Sequence, residues 1–336
     1  MNHAVQTIIC LIISAVLLSS CEDDRLKIDV STIGVDTRLE RADLLWKDMS
    51  PIGFRESHPR YLTQYKDVYT HYIQDVLRLG NVNDSNLYAS IREFTKHPDF
   101  EQVYKEVELI FPESDDFESE LDDAWKHYSY YFPEAAVPYQ FACVCGFNNP
   151  LIMTESGIGL CMEMYLGDKC RFYNYLQLPV YLRHRMTPKH LVPWMMKAWL
   201  ETEFVQENKS PSLLEDIVQA GKIFFCMDAI FPLVEDSIKI GYTSTEMTWA
   251  RDHERFVWAH FVDNELLFET NIGVVGKFTN DGPFTVDLVK ESPSRMGYFI
   301  GWQMVREYMS RQESVDLPKL MATDAQEILN KSKYKP

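Results

Sequence analysis

Basic residues are in short supply: Lys and Arg number 33 against 50 Asp and Glu, a formal net charge of −17. Holding nucleic acid without regard to sequence takes clustered Lys and Arg on the phosphates, so no nucleic-acid partner is expected. Anionic lipid surfaces should repel the chain too. Cysteine pairs at metal or redox spacing are missing. Of the seven cysteines, Cys10 and Cys21 belong to the N-terminal segment, which leaves Cys143, Cys145, Cys161, Cys170 and Cys226. An odd, scattered set outside the cytoplasm is no disulfide framework, and it contains no Cys-x-x-Cys. Cys143 and Cys145, two apart on an expected strand, share a face and are poorly placed to bond each other, so they read as small buried hydrophobes. Also missing is His-Glu-x-x-His, the helical imidazole pair with a glutamate base that a zinc hydrolase would carry. The acidic run Glu113, Asp115, Asp116, Glu118, Glu120, Asp122 and Asp123 lacks the Asp-x-Asp-x-Asp-Gly frame of an EF-hand. What is present is 336 residues with 46% hydrophobic content, enough to bury a large core in one domain or two closely packed lobes.

The N-terminus is the most specific stretch. After Met1-Asn2-His3, the mostly apolar run from Ala4 to Leu18 is short for a membrane span and the right length for a signal-peptide core. It ends Leu18-Ser19-Ser20-Cys21, which resembles the lipobox of bacterial lipoproteins, although no Lys or Arg precedes the apolar run. Residues 1–20 are then a removed signal peptide and Cys21 the lipidated residue, held in the membrane by several acyl chains at about 0.8 kcal/mol per CH₂. Residues 21–27, with Glu22-Asp23-Asp24, read as an acidic tether resembling lipoprotein sorting signals of the Bacteroidetes. Residues 28–336 form one domain.

Periodicity predicts an α+β fold, mostly helical with a small central β-sheet. Ile28 to Thr37 suggests an extended segment broken near Gly34, then a short helix with Leu39, Leu44, Leu45 and Trp46. Leu62, Tyr65, Val68, Tyr69, Tyr72, Ile73, Val76 and Leu77 place one helix from Tyr61 to Leu79, stopped by Gly80-Asn81; His71 on it reads as structural. Shorter helices follow over 86–95 and 99–110, and Phe117, Leu121, Ala124, Trp125 and Tyr128 form the apolar face of a helix whose start is acidic. Tyr139, Phe141, Cys143 and Cys145 then alternate with Gln140, Ala142 and Val144, and Leu151 to Met164 turns at Glu155-Ser156-Gly157, giving a strand and a hairpin. Further on, Ser210-Pro211 caps a helix, Thr243-x-x-Glu246 is a capping box opening a helix to about Val262, and Thr323-x-x-Gln326 opens a last one. Gly297 and Gly301 lie on one helical face, so another helix can approach closely.

The stretch from Thr187 to Gln206 decides the functional reading. Thr187 and Pro188 suit a helix start, apolar residues cover most of the circumference, and Pro193 is expected to kink or restart the helix. Trp194, Lys197 and Ala198 stand where a metal helix would present ligands. Ala220-Gly221 occupies the place of a third ligand on the next helix, and alanine binds no metal. His253 and His260 are seven residues apart, roughly 10 Å along a helix axis and too far for one ion at bonds near 2 Å. They read as a surface or cap-supporting pair, and no metal or cofactor is expected.

Several motifs carry a family resemblance: the lipobox, Tyr-Phe-Pro (131–133), Tyr-Leu-Gly (165–167), Ile-Gly-Tyr-Thr (240–243), Glu-Ser-Pro-x-Arg-x-Gly followed by Gly-Trp-Gln (291–303), and the closing Lys-Ser-Lys-Tyr-Lys-Pro. From Cys21 to the end the chain resembles the gliding motility-associated lipoprotein GldB family of the Bacteroidetes, itself similar to predicted zinc peptidases. The resemblance implies a degenerate zincin-like architecture and a place in gliding motility and type IX secretion. Expected from it are an outer-membrane lipoprotein of the cell envelope, held by its N-terminal lipid and contacting other envelope proteins without catalysis. The alternatives are a hydrolase with an unrecognised site or a peptide- or glycan-binding cleft.

Overall fold

Four short strands, β1 (Leu39–Arg41), β2 (Tyr139–Cys143), β3 (Leu151–Met153) and β4 (Gly157–Cys161), lie in the order β1-β2-β4-β3. The first three in that order run parallel and β3 returns antiparallel to β4. The computed structural model describes residues 23–113, 116–204 and 210–336. The signal segment, Cys10, Cys21 and Glu22 lie outside the described residues, as do Asp115, Val205 and Gln206.

The alternation read from the sequence divides the interior. Ala142, Val144, Ile158 and Leu160 face the larger core, while Phe141, Cys143, Cys145 and Cys161 face a smaller one on the other side of the sheet. In the smaller core Phe141 is surrounded by Trp46, Tyr61, Tyr65, Tyr69 and Tyr72, with ring centroids between 5.4 and 6.4 Å from its own. These rings come from α1 (Ala42–Leu45) and its 3₁₀ extension, α2 (Pro51–Gln64), α3 (Lys66–His71) and a π-helical turn over Tyr72–Val76. The helix expected over Tyr61–Leu79 is therefore two helices broken at Tyr65, the first starting ten residues earlier at the Ser50 cap. The tyrosines keep one face across the break, so their spacing hid it. Leu39, expected in a helix, sits in β1, a strand too short to show a period.

The remaining helices are α4 (Leu87–Lys96), α5 (Pro98–Ile110), α6 (Asp116–Tyr131), α7 (Arg171–Tyr175), α8 (Val180–Arg183), α9 (Leu191–Glu203), α10 (Leu213–Ile230), α11 (Asp236–Ile240), α12 (Ser244–Asp252), α13 (Glu254–Asp263), α14 (Ile272–Thr279), α15 (Met296–Ser310), α16 (Leu317–Ala322) and α17 (Ala325–Ser332). Among the described residues no helix is long and apolar enough to cross a membrane. The central helix is α10 rather than α9: from Gly221 to Ile230 every residue of α10 is buried, whereas Trp194, Lys197 and Ala198 of α9 are only half-buried. Pro193 does not kink α9. The α-helix begins at Leu191, so the missing N–H falls in the first turn, where no intrahelical partner exists.

Caps shift as well. Ser212, not Ser210-Pro211, closes a capping box with Glu215 on α10. Thr243 and Glu246 form theirs as expected, but the helix they open breaks at His253 into α12 and α13. Asp324 rather than Thr323 caps α17, accepting from the N–H groups of Gln326 and Glu327.

Cys145 and Cys161 form a disulfide, with Cα atoms 5.4 Å apart. This corrects the reading of Cys145 as a small buried hydrophobe and of the cysteine set, Cys161 included, as free of disulfides. The parallel pairing of β2 with β4 sets Cys143 beside Cys161 and brings Cys145 within bonding range. Cys143, Cys170 and Cys226 are free.

Candidate functional site

The positions weighed for a degenerate metal site are used for packing. Trp194 Nε1 donates to the Ile238 carbonyl at 3.3 Å and its ring lies beneath the Arg185 guanidinium at 5.5 Å. Lys197 pairs with Glu201 and covers the Phe224 ring. The Ala198 carbonyl accepts from Thr202 at 3.0 Å, and Ala220 is half-buried against the larger core. Gly221 faces Gly301 where α10 crosses α15: a Cβ on Gly221 would lie 2.3 Å from the Gly301 oxygen, and one on Gly301 would lie 1.8 Å from the Ile217 oxygen. The two backbones touch, as the paired glycines of α15 required. His253 stacks on Trp249 and its Nδ1 contacts the Trp249 carbonyl at 2.9 Å, while His260 contacts Asn264. Both support helix ends. Among the described residues, the side chains that converge closely enough to share a metal ion are Cys143, Cys145 and Cys161, and two of these are joined as the disulfide.

Two of the quoted motifs, distant in sequence, meet in space. Arg295, fully buried and in a left-handed conformation (φ 58°), donates from Nη2 to the Ile240 carbonyl at 2.9 Å, and the Tyr242 hydroxyl donates to the Ser294 carbonyl at 2.7 Å. Arg185 donates to the Gly241 carbonyl at 2.9 Å, and both guanidiniums reach the Asp281 carboxylate, at 2.7 Å from Arg185 and 2.9 Å from Arg295. The C-terminal end of α11 is thus clamped by cations, the favourable sign there. Gly-Trp-Gln supplies the helix crossing through Gly301 and, through Trp302, a bond to Asp228 at 2.9 Å. In Lys-Ser-Lys-Tyr-Lys-Pro, the Tyr334 hydroxyl donates to Glu254 at 2.6 Å.

Asp228 lines a cleft of about 1580 Å³ bordered by α11, α12, the C-terminal half of α15 and both ends of the described chain. It accepts from Arg306 Nε and Nη2, each at 2.7 Å, from Lys239 Nζ at 2.9 Å and from Trp302. Arg306 also grips Asp236 at 2.7 and 2.8 Å and lies 3.9 Å over the Trp302 ring. Against the upward push of burial, Arg306, helped by Lys239 and Arg251, holds Asp236 down to about 2. The walls carry charges of both signs, suited to a ligand that presents both. Composition and spacing missed this cluster, because its members are up to 78 residues apart.

A second buried acid organises the sheet's end. Glu163 is fully buried, and its Oε1 accepts from the N–H of Cys145 at 2.7 Å and of Phe147 at 2.9 Å, holding the backbone beside the disulfide. Burial pushes its carboxyl up to about 7 against the pull of those N–H groups. Between the ordinary value of 4.5 and 7 the folded chain keeps a proton that the unfolded chain has released. Its contribution is therefore present below pH 4.5 and lost as pH rises through 7. Glu163→Gln keeps the acceptor and should flatten this slope, gaining up to about 3 kcal/mol relative to wild type between pH 5 and pH 8 in urea titrations. An unchanged difference between the two pH values would place the titration elsewhere.

A family model described as gliding motility protein GldB matches residues 23–336. No curated protein and no solved structure matches the chain, so the zincin-like architecture has no counterpart that supports it. The mostly helical α+β fold, the joined motifs and a match spanning every described residue lead to one assignment: the chain belongs to the gliding motility protein GldB family.

Proposed function

We propose that this protein is a lipid-anchored, non-catalytic component of the cell envelope that serves gliding motility, and type IX secretion with it, through contact with other envelope proteins. Family membership supports the motility role and the envelope location. The observation that carries the non-catalytic reading is the α10–α15 crossing. The step where a third metal ligand would stand is spent on a backbone contact, and the positions on α9 hold an indole, a paired lysine and an alanine. Zinc hydrolysis needs three protein ligands and an open water position.

Tyr175 and Val180, 78% and 77% exposed, lie five residues apart on the α7–α8 turn and supply an apolar contact surface. Cys21 carries the lipid and the outer membrane receives it. Two experiments test the reading together. Cys21→Ser should move the protein from the membrane pellet to the supernatant with its circular dichroism unchanged. A photo-reactive residue at 175 or 180 in intact cells should capture a discrete envelope protein. Membrane sedimentation of the serine variant after a salt wash would remove the anchor, and a chain that captures nothing at either position would remove the contact role.

A further inference from the structure

Residues read from sequence as the end of a loose tether are built into the fold. Arg25 holds the Asp23 carboxylate and donates to the carbonyls of Met309 and Gln312 at 3.0 and 2.6 Å, and Leu26 is buried. Asp23, Arg25 and Gln312 all line the charged cleft. Only Glu22 separates Asp23 from Cys21, and two extended chain steps reach about 7 Å. The headgroup layer on one side of a bilayer is about 5–8 Å deep. A lipid on Cys21 therefore leaves no slack, and the cleft rim sits at the headgroups.

Two independent features of that rim fit the location. Along the cleft walls Lys and Arg slightly outnumber Asp and Glu, although the chain as a whole has 33 of the former and 50 of the latter. Most of these charges pair with one another, so the lining is close to neutral and lacks the net acidity of the whole chain. Lys333 and Lys335 are exposed on it. At the same rim Leu233, between α10 and α11, is the most exposed large apolar side chain among the described residues, at 82%. Basic side chains near an anionic surface are drawn to it at about 1 kcal/mol each, and an apolar side chain held at that depth can enter the headgroup boundary.

We infer that the cleft formed by α11, α15 and the C-terminal segment lies against the bilayer that holds the anchor, binds phospholipid headgroups through Lys333 and Lys335 and inserts Leu233 among them. This inference rests on lipidation of Cys21. The smaller core, with α2, lies on the other side of the sheet from the larger core that carries the cleft, so α2 serves as the distant control.

The test uses the full lipidated chain in vesicles of phosphatidylethanolamine and phosphatidylglycerol, with photo-reactive benzoylphenylalanine at 233 or at 52, since Ile52 is 61% exposed on α2. Mass spectrometry then reads phospholipid adducts. The expected result is adduct at 233 and little at 52, with Lys333→Glu plus Lys335→Glu lowering the yield at 233 about ten-fold. Equal yields at 233 and 52 on a chain that carries the acyl mass would overturn the orientation alone. A chain without the acyl mass would remove the anchor reading and this inference together, and the intact mass separates the two failures.

Discussion

Gly301→Ala should cost about 3 kcal/mol or more of folding free energy, seen as a lower urea midpoint with an unchanged slope. The new methyl would stand 1.8 Å from the Ile217 carbonyl oxygen and 2.4 Å from its carbon. Backbone atoms of a buried helix cannot turn aside as a side chain does, so α10 and α15 must separate by more than an ångström along their longest contact. That opens gaps along a close-packed seam. Alanine's helix propensity opposes the loss by only about 1 kcal/mol. A control comes from Gly53, where a methyl would meet nothing closer than the Ser50 hydroxyl at 3.5 Å; Gly53→Ala should be neutral or slightly stabilising. A Gly301→Ala protein as stable as wild type would mean that the helices do not cross in contact.

Asp228→Ala should be comparably severe, about 4 kcal/mol, because it removes the one carboxylate that Lys239 holds. The Lys239 and Asp228 side chains are 4% and 6% exposed. Without Asp228 the buried ammonium loses its hydrogen-bonded carboxylate and keeps only the more distant attraction of Asp236, which Arg306 still grips. Lys239→Met should cost much less, since Arg306 and Trp302 continue to satisfy Asp228. Equal costs for the two substitutions would show that Lys239 reaches water.

How far these features could be read from the chain depends on whether their signal is local. The helix behind the acidic run, the hairpin at Glu155-Ser156-Gly157 and the Thr243–Glu246 box each show themselves within a few residues, and each forms. The close approach of α15 also followed from two glycines one turn apart. The disulfide did not follow: Cys145 and Cys161 are brought together by a parallel strand pairing that nothing within either strand announces. The Asp228 cluster likewise depends on three helices meeting. One clue stood in plain view, a single acid in the otherwise apolar run Phe224-Phe225-Cys226-Met227-Asp228-Ala229-Ile230. A charge there must be paired. Lys222, buried on the same helix and donating to the carbonyls of Met321 and Thr323, is a second example.

The helices expected to retain a protease-like frame pack backbone to backbone, and metal content tests most directly the proposal that they bind no ion. Residues 22–336, purified without chelators and analysed by inductively coupled plasma mass spectrometry, should contain zinc far below one equivalent and show the same urea midpoint with and without added zinc. One tightly held zinc per chain, lost together with stability on chelation, would contradict it.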